Sequence, residues 1–174
     1  MTGKPVDDPA RRLVVRDATT ADWPAIWPFW SQIVADGETY AYPEGLDADD
    51  ARPLWFEPAP MRVLVAVDGD GTVLGSAKYG PNRPGRGDHV ATASFMVSSD
   101  ARGRGVGRLL AEQVLTRARA AGFAAMQFNA VVATNTGAVE LWRSLGFEII
   151  GTVPEAFRSA RHGLVGLHVM YRRL

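Results

Sequence analysis

Between residues 23 and 34 apolar side chains return at three- and four-residue steps, as Trp23, Ile26, Trp27, Trp30, Ile33 and Val34. That spacing lines one face of a helix. It predicts a helix that is capped by Thr20, takes Pro24 in its first turn, runs to about Ala35 and stops at Gly37, with Pro28 as an interior position lacking a donor. Ahead of it, "LVVR" at 13–16 reads as a short strand. Residues 38–47 are turn-rich, and a weaker helical pattern around 48–57 contains Pro53, which keeps that helix short or irregular. The period then changes from helical to two. "MRVLVAV" and "TVLGSAKY" flank "DGDG" at 68–71 and predict a hairpin. After a loop, "HVATASFMV" at 89–97 is a further strand with His89, Ala91, Ala93, Phe95 and Val97 on one face. A helix follows over 105–121, with Val106, Leu109, Leu110, Val114 and Ala118 as its stripe and Gly122 as its stop. The remaining pattern predicts a strand at 125–132, a helix from about Thr136 to Leu145, and strands at 147–153 and 164–172 around the loop 154–163. This order implies an α/β fold with a mixed sheet of about six to seven strands and helices on both faces.

Composition narrows the class. The chain has 174 residues, 47% of them hydrophobic and 22% charged, which suits a single domain over 13–174 behind a disordered tail at 1–12. The 19 basic and 19 acidic side chains cancel, so nothing draws the whole chain toward nucleic acid. No uncharged apolar run approaches the roughly 18 residues of a membrane span, and "MTGKPVDDPARR" contains no apolar leader. Cysteine is absent, which removes disulfides, thiolate metal sites and a cysteine acyl intermediate. The expectation is a soluble, cytoplasmic protein that binds neither nucleic acid nor membrane and needs no metal.

The strand at 89–97 runs into Arg102, Gly103, Arg104, Gly105, Val106 and Gly107 at the mouth of the 105–121 helix. Glycine permits positive φ and close approach to the backbone, and a helix start gathers unpaired N–H groups at its positive end. Together they predict an anion site, most simply for a phosphate or pyrophosphate, with Arg102 and Arg104 adding charge. A charge-assisted hydrogen bond there contributes about 1.5–3 kcal/mol. The spacing fits neither G-x-G-x-x-G nor a P-loop, since no G-K-[ST] follows.

What the loop does resemble, as R-x-x-G-x-G between a strand ending "FMV" and an amphipathic helix, is the acyl-CoA signature of the GNAT superfamily of N-acetyltransferases. "NTGAVELWRSLGFEIIG" at 135–151 is similar to that family's later motif, through Asn135, Ala138, Trp142, Gly146 and Phe147. The resemblance implies acetyl-CoA as cosubstrate and a sheet splayed between the strands at about 89–97 and 125–131, where the thioester lies. It implies that main-chain groups of Val97 and Phe95 run beside the pantetheine arm. It further implies that N–H groups of Arg102, Gly103, Arg104, Gly105, Val106 and Gly107 cup the pyrophosphate, and that Asn135 holds the pantetheine end or its phosphate. A homodimer is common among relatives.

Acetyl transfer to an amine requires a neutral amine and a route for its proton. The family's usual pair is missing: Trp142 stands where its tyrosine acid is expected, and Thr92 where the amino-acid and phosphinothricin-like subgroup carries a glutamate. An indole donates a hydrogen bond but gives up no proton. The candidates in their place are Glu38 as base, or a water held by Thr92 and Ser94. Glu38, Tyr40, Tyr42 and His162 are the candidate acceptor-binding residues, with His89 as a further substitute where the splayed strand opens; Arg158 reads as a plain loop residue, and Asn129 as either a bridge across the splay or a satisfied core amide. Trp23, Trp27 and Trp30 read as core or a dimer surface. The resulting expectation is acetyl transfer to a small amine (amino acid, analogue or polyamine) by direct attack in a ternary complex. Acetylation of a protein or peptide, and a non-catalytic acyl-CoA-binding module, are the alternatives.

Overall fold

The computed structural model describes residues 12–174; of the tail expected at 1–12, residues 1–11 lie outside them. In chain order the elements are β1 (Val14–Asp17), α1 (Trp23–Asp36), α2 (Ala48–Trp55), β2 (Arg62–Val67), β3 (Val73–Pro81), β4 (Val90–Val97), α3 (Val106–Ala120), β5 (Ala125–Val132), α4 (Thr136–Ser144), β6 (Glu148–Ser159) and β7 (Gly163–Arg173). The seven strands form one sheet in the order β1-β2-β3-β4-β5-β7-β6. Every neighbouring pair is antiparallel except β4 and β5, which α3 connects as a parallel crossover.

Strand alternation divides the apolar residues between two cores. Leu64, Ala66, Ala77 and Tyr79 share one core with Leu110 and Val114 of α3, Trp142 of α4 and Phe147. Val63, Val65 and Met96 face the other way, onto Trp23, Ile26, Trp30 and Trp55 of α1 and α2. The tryptophans at helical spacing in α1 therefore belong largely to a core. The close seat of α3 depends on Gly75, where a Cβ would come within 3.0 Å of both the Met96 carbonyl oxygen and Val106 Cγ1.

Two element boundaries differ from the sequence expectation. Thr20 does not cap α1: a single 3-10 turn over Thr20–Asp22 precedes it, and the Asp22 carboxylate accepts the Thr19 N–H at 2.8 Å. Arg16 donates to both oxygens of the same carboxylate, at 2.9 and 2.7 Å, tying β1 to the helix start. The segment 154–163 is not a loop. β6 extends through Phe157 to Ser159, with a bulge between Val153 and Phe157 that holds Glu155 at φ 51°. Pro154 hid this continuation in the sequence, because the bulge absorbs the residue that a regular ladder would reject. Among the described residues no helix is long and apolar enough to cross a membrane.

Candidate active site

β4 and β5 pair only at Val90–Ala125 and Ala91–Met126, after which they separate. β5 stays with β7 through an irregularity between Phe128 and Val131, and a bulge of this kind bends a strand away from its neighbour. The sheet is thus splayed between the two strands expected to part. A cavity of about 440 Å³ occupies the splay. Its floor is aromatic: Phe95 and Phe128 lie 4.9 and 4.8 Å, centroid to centroid, from the Trp142 ring. Thr92 and Ser94 line it from β4, Thr39, Tyr40 and Ala41 from the segment after α1, and Phe157 and Leu167 from β6 and β7.

The glycine loop carries the anion-binding geometry. Gly103 and Gly105 have φ of 75° and 77°, a conformation that would strain any residue with a Cβ. The helix's own ladder begins with the Leu109 N–H donating to the Gly105 carbonyl at 3.0 Å. Val106, Gly107 and Arg108 therefore present first-turn N–H groups that no helical carbonyl can take. The expectation for the loop needs one correction. The Arg102 and Arg104 N–H groups turn back to the Ser99 and Ala101 carbonyls, both at 3.2 Å, while the N–H groups of Gly103, Gly105, Val106 and Gly107 meet no main-chain carbonyl among the described residues. The Arg104 guanidinium also lies 3.7 Å from the Asp68 carboxylate on the β2–β3 turn. The cup adjoins the open edge of β4, since a Cβ on Gly107 would sit 3.7 Å from Val97 Cγ2. Alternating glycines, unspent helix donors and an aromatic-floored splay fit a diphosphate carrying an extended arm toward the cavity.

On that open edge the Tyr40 hydroxyl accepts the Phe95 N–H at 2.8 Å and donates to the Phe95 carbonyl at 2.6 Å. Phe95 thus offers its main-chain pair to Tyr40 rather than keeping it open for the pantetheine arm, which modifies the expectation at this residue. The main-chain groups of Val97, two residues on, face the same way by strand alternation. Burial, together with the neighbouring Tyr42, pushes the Tyr40 phenol well above its ordinary pKa, so it is a neutral hydroxyl at physiological pH. Tyr42 stacks on Tyr40 at 5.6 Å and is likewise raised, by burial and then by Glu57. It packs on the α1–α2 core and not on the cavity wall.

Asn135 lines the cavity and caps α4, its Oδ1 accepting the Ala138 N–H at 3.3 Å. Asn129 spans the splay: its Nδ2 donates to Asn82 Oδ1 at 2.6 Å, and Gln127 donates to its Oδ1 at 2.8 Å. Glu38 is adjacent to the cavity-lining Thr39 but is turned to the β6–β7 turn, where it accepts from the Ser159 hydroxyl at 2.7 Å and the Arg161 N–H at 2.9 Å. Those donors, the Ser159 hydroxyl first, hold its carboxyl below the usual range. His162 is exposed in that turn, and His89 and Arg158 are exposed as well; none of the three lines the cavity.

Sequence reading missed Asn82, Ser159, Phe157 and Lys78. Buried Phe157 and Ser159 alternating with exposed Arg158 were a two-residue signal too short to outweigh Pro154. Lys78, on β3, hides its ammonium beneath the Tyr42 and Trp55 rings, donating to the Leu54 carbonyl at 2.7 Å and pairing with Glu57. Nothing in an alternating strand pattern marks a lysine as buried.

Residues 23–147 match the model of the Acetyltransferase (GNAT) family. The chain is 38% identical over 146 residues to the L-methionine sulfoximine/L-methionine sulfone acetyltransferase of Pseudomonas aeruginosa, covering 81% of this chain and 83% of that one. It superimposes with a TM-score of 0.90 on the GCN5-related N-acetyltransferase of Kribbella flavida, at 62% identity over 93% of this chain and 98% of that one. The yncA acetyltransferase of Salmonella typhimurium, solved with its cofactor acetyl-CoA, gives a TM-score of 0.81 at 26% identity, with 94% of each chain covered. With the splayed sheet, the glycine cup and these relatives together, the chain belongs to the GNAT family and is an N-acetyltransferase that uses acetyl-CoA as its cosubstrate.

Proposed function

We propose that the protein acetylates the amine of a small molecule, an amino acid or an analogue in the first instance, by direct attack within a ternary complex. The observation that carries this reading is the shape of the acceptor end of the cavity. Tyr40 and Ala41 on one side and Phe157 and Leu167 on the other wall one end of a cavity whose whole volume, the share of the coenzyme arm included, is about 440 Å³, which suits a compact acceptor better than a polypeptide. The similarity to an acetyltransferase of methionine sulfoximine and methionine sulfone supports the same class.

Acetyl-CoA supplies the activated acyl carbon. In this reading the N–H groups of Gly103, Gly105, Val106 and Gly107 hold its diphosphate, Val97 runs beside its arm, and Asn135 holds the arm's end. Thr92 and Ser94, two residues apart on one face of β4, hold a water that takes the proton released as the amine nitrogen bonds to the acyl carbon. The thiol leaves with a proton from solvent, and Trp142 serves as a packing surface. Both Glu38 oxygens are already committed to the β6–β7 turn, which favours the water route over Glu38 as base.

The test is steady-state thiol release with acetyl-CoA and a panel of amino acids, methionine sulfone, methionine sulfoximine and polyamines. Saturable release with one class of small amine supports the reading. Calorimetric binding of acetyl-CoA without release above background for any amine would replace it with a sensor.

A further inference from the structure

The end of α1 and the β6–β7 turn lie more than a hundred residues apart in the chain, yet three hydrogen bonds stitch them together. The Glu38 carboxylate accepts from the Ser159 hydroxyl and the Arg161 N–H, at 2.7 and 2.9 Å. The Ala160 N–H donates to the Gly37 carbonyl at 3.0 Å, and Ser159 Oγ also accepts the His162 N–H at 3.0 Å, closing the turn on itself. The approach is tight enough that a Cβ on Gly37 would come 3.2 Å from Ala160 Cβ. Ser159 is 3% exposed, and its hydroxyl donates to this carboxylate while its oxygen accepts the Arg161 and His162 N–H groups. Immediately on either side of the stitch stand cavity-lining residues: Thr39 and Tyr40 follow Glu38, and Phe157 precedes Ser159 by two residues.

We propose that Glu38 is a positioning residue, a clasp that holds the β6–β7 turn against the end of α1 and thereby sets the width of the acceptor end of the cavity. This rests on the reading that the acceptor enters between those two walls. It also explains why a carboxylate sits next to the site without pointing into it. A clasp acts on binding of the amine and on its approach angle, whereas a base acts on the proton-transfer step, so kinetics separate the two roles.

The experiment compares wild type, Glu38→Ala, Glu38→Gln and Ser159→Ala by steady-state kinetics with the best amine of the panel and by hydrogen–deuterium exchange of the peptide covering 157–167. The expected result for Glu38→Ala is an acceptor KM raised about tenfold, kcat within about threefold of wild type, and an unchanged acetyl-CoA KM. Glu38→Gln, which offers a single acceptor oxygen for two donors, should fall between it and wild type. Ser159→Ala combined with Glu38→Ala should cost little beyond Glu38→Ala alone, because both remove the same clasp. Exchange at 157–167 should accelerate in Glu38→Ala and Ser159→Ala. A kcat lower by about two orders of magnitude with an unchanged acceptor KM would overturn the proposal in favour of a general base. Unchanged exchange at 157–167 would overturn it as well. Exchange also reports on the clasp if no amine in the panel is acetylated, in which case the small-amine reading fails while the clasp is judged independently. If Glu38→Ala does not fold, the milder Glu38→Gln and Ser159→Ala carry the same comparison.

Discussion

A single hydroxyl does the work of a missing strand at the open edge of β4. Where β5 leaves, Phe95 would face the splay with an unmatched N–H and C=O, and Tyr40 answers both. Unpaired buried main-chain groups cost about 1–3 kcal/mol, so Tyr40→Phe is expected to lower stability by that order, read as a lower urea midpoint with an unchanged slope. The cup makes a second residue-scale prediction. Gly107 has only ordinary contacts around its missing Cβ, at 3.7 and 3.8 Å, so Gly107→Asp should leave the far-ultraviolet spectrum intact. The carboxylate would nevertheless stand among the anion-binding donors, and calorimetry should show acetyl-CoA affinity reduced by about a hundredfold or more. At Gly105 a side chain would add backbone strain, because φ is 77°, and that variant confounds folding with binding. Affinity preserved in Gly107→Asp would mean that the diphosphate sits elsewhere.

Elements contribute orientation. α3 starts at the end of β4 and packs over β3 through Gly75, so its unspent N–H groups and the β4 edge converge on one end of the splay. α4 brings Trp142 against Phe95 and Phe128, placing an indole where the family resemblance led to the expectation of a tyrosine acid. If the indole only packs, Trp142→Tyr retains turnover within about threefold and Trp142→Ala opens the floor and weakens coenzyme binding; complete loss of turnover in Trp142→Tyr would assign the indole a specific role. On β4, Thr92→Val and Ser94→Ala should each lower kcat/KM about tenfold or more with little change in acetyl-CoA KM, if these hydroxyls hold the proton-accepting water. Unaltered kcat/KM in the double variant would exclude that route.

For the molecule as a whole, one sheet separates two cores, with Tyr79 buried in one and the half-buried Tyr40 and Tyr42 packed against the other. Burial raises Tyr40, Tyr42 and Tyr79 above the ordinary phenol value. Their folded pKa values exceed the unfolded value of about 10, so their contribution to stability is complete below that pH and is lost as pH rises toward the folded values. The melting temperature should therefore decline above about pH 10, with most of the phenolate absorbance appearing together with unfolding. Phenolate absorbance developing fully before any loss of structure would show that these rings are accessible.

Every helix and nearly every strand was legible in the chain, because each rests on a local period or cap: the α1 stripe, the "DGDG" turn, Gly122 after α3, Asn135 ahead of α4. The backbone geometry of the glycine loop was legible for the same reason, since it is set by consecutive residues. What only the tertiary structure decided is who faces whom across a large sequence separation. Glu38, a candidate base by sequence, is met by Ser159 of β6; Tyr40, a candidate acceptor-binding residue, bridges Phe95; and Lys78, on which the sequence placed no expectation, donates to the Leu54 carbonyl of α2. Local patterning specifies which surface of an element is apolar. The partner of a lone polar side chain is set by the packing of distant segments, and no period in the sequence encodes it.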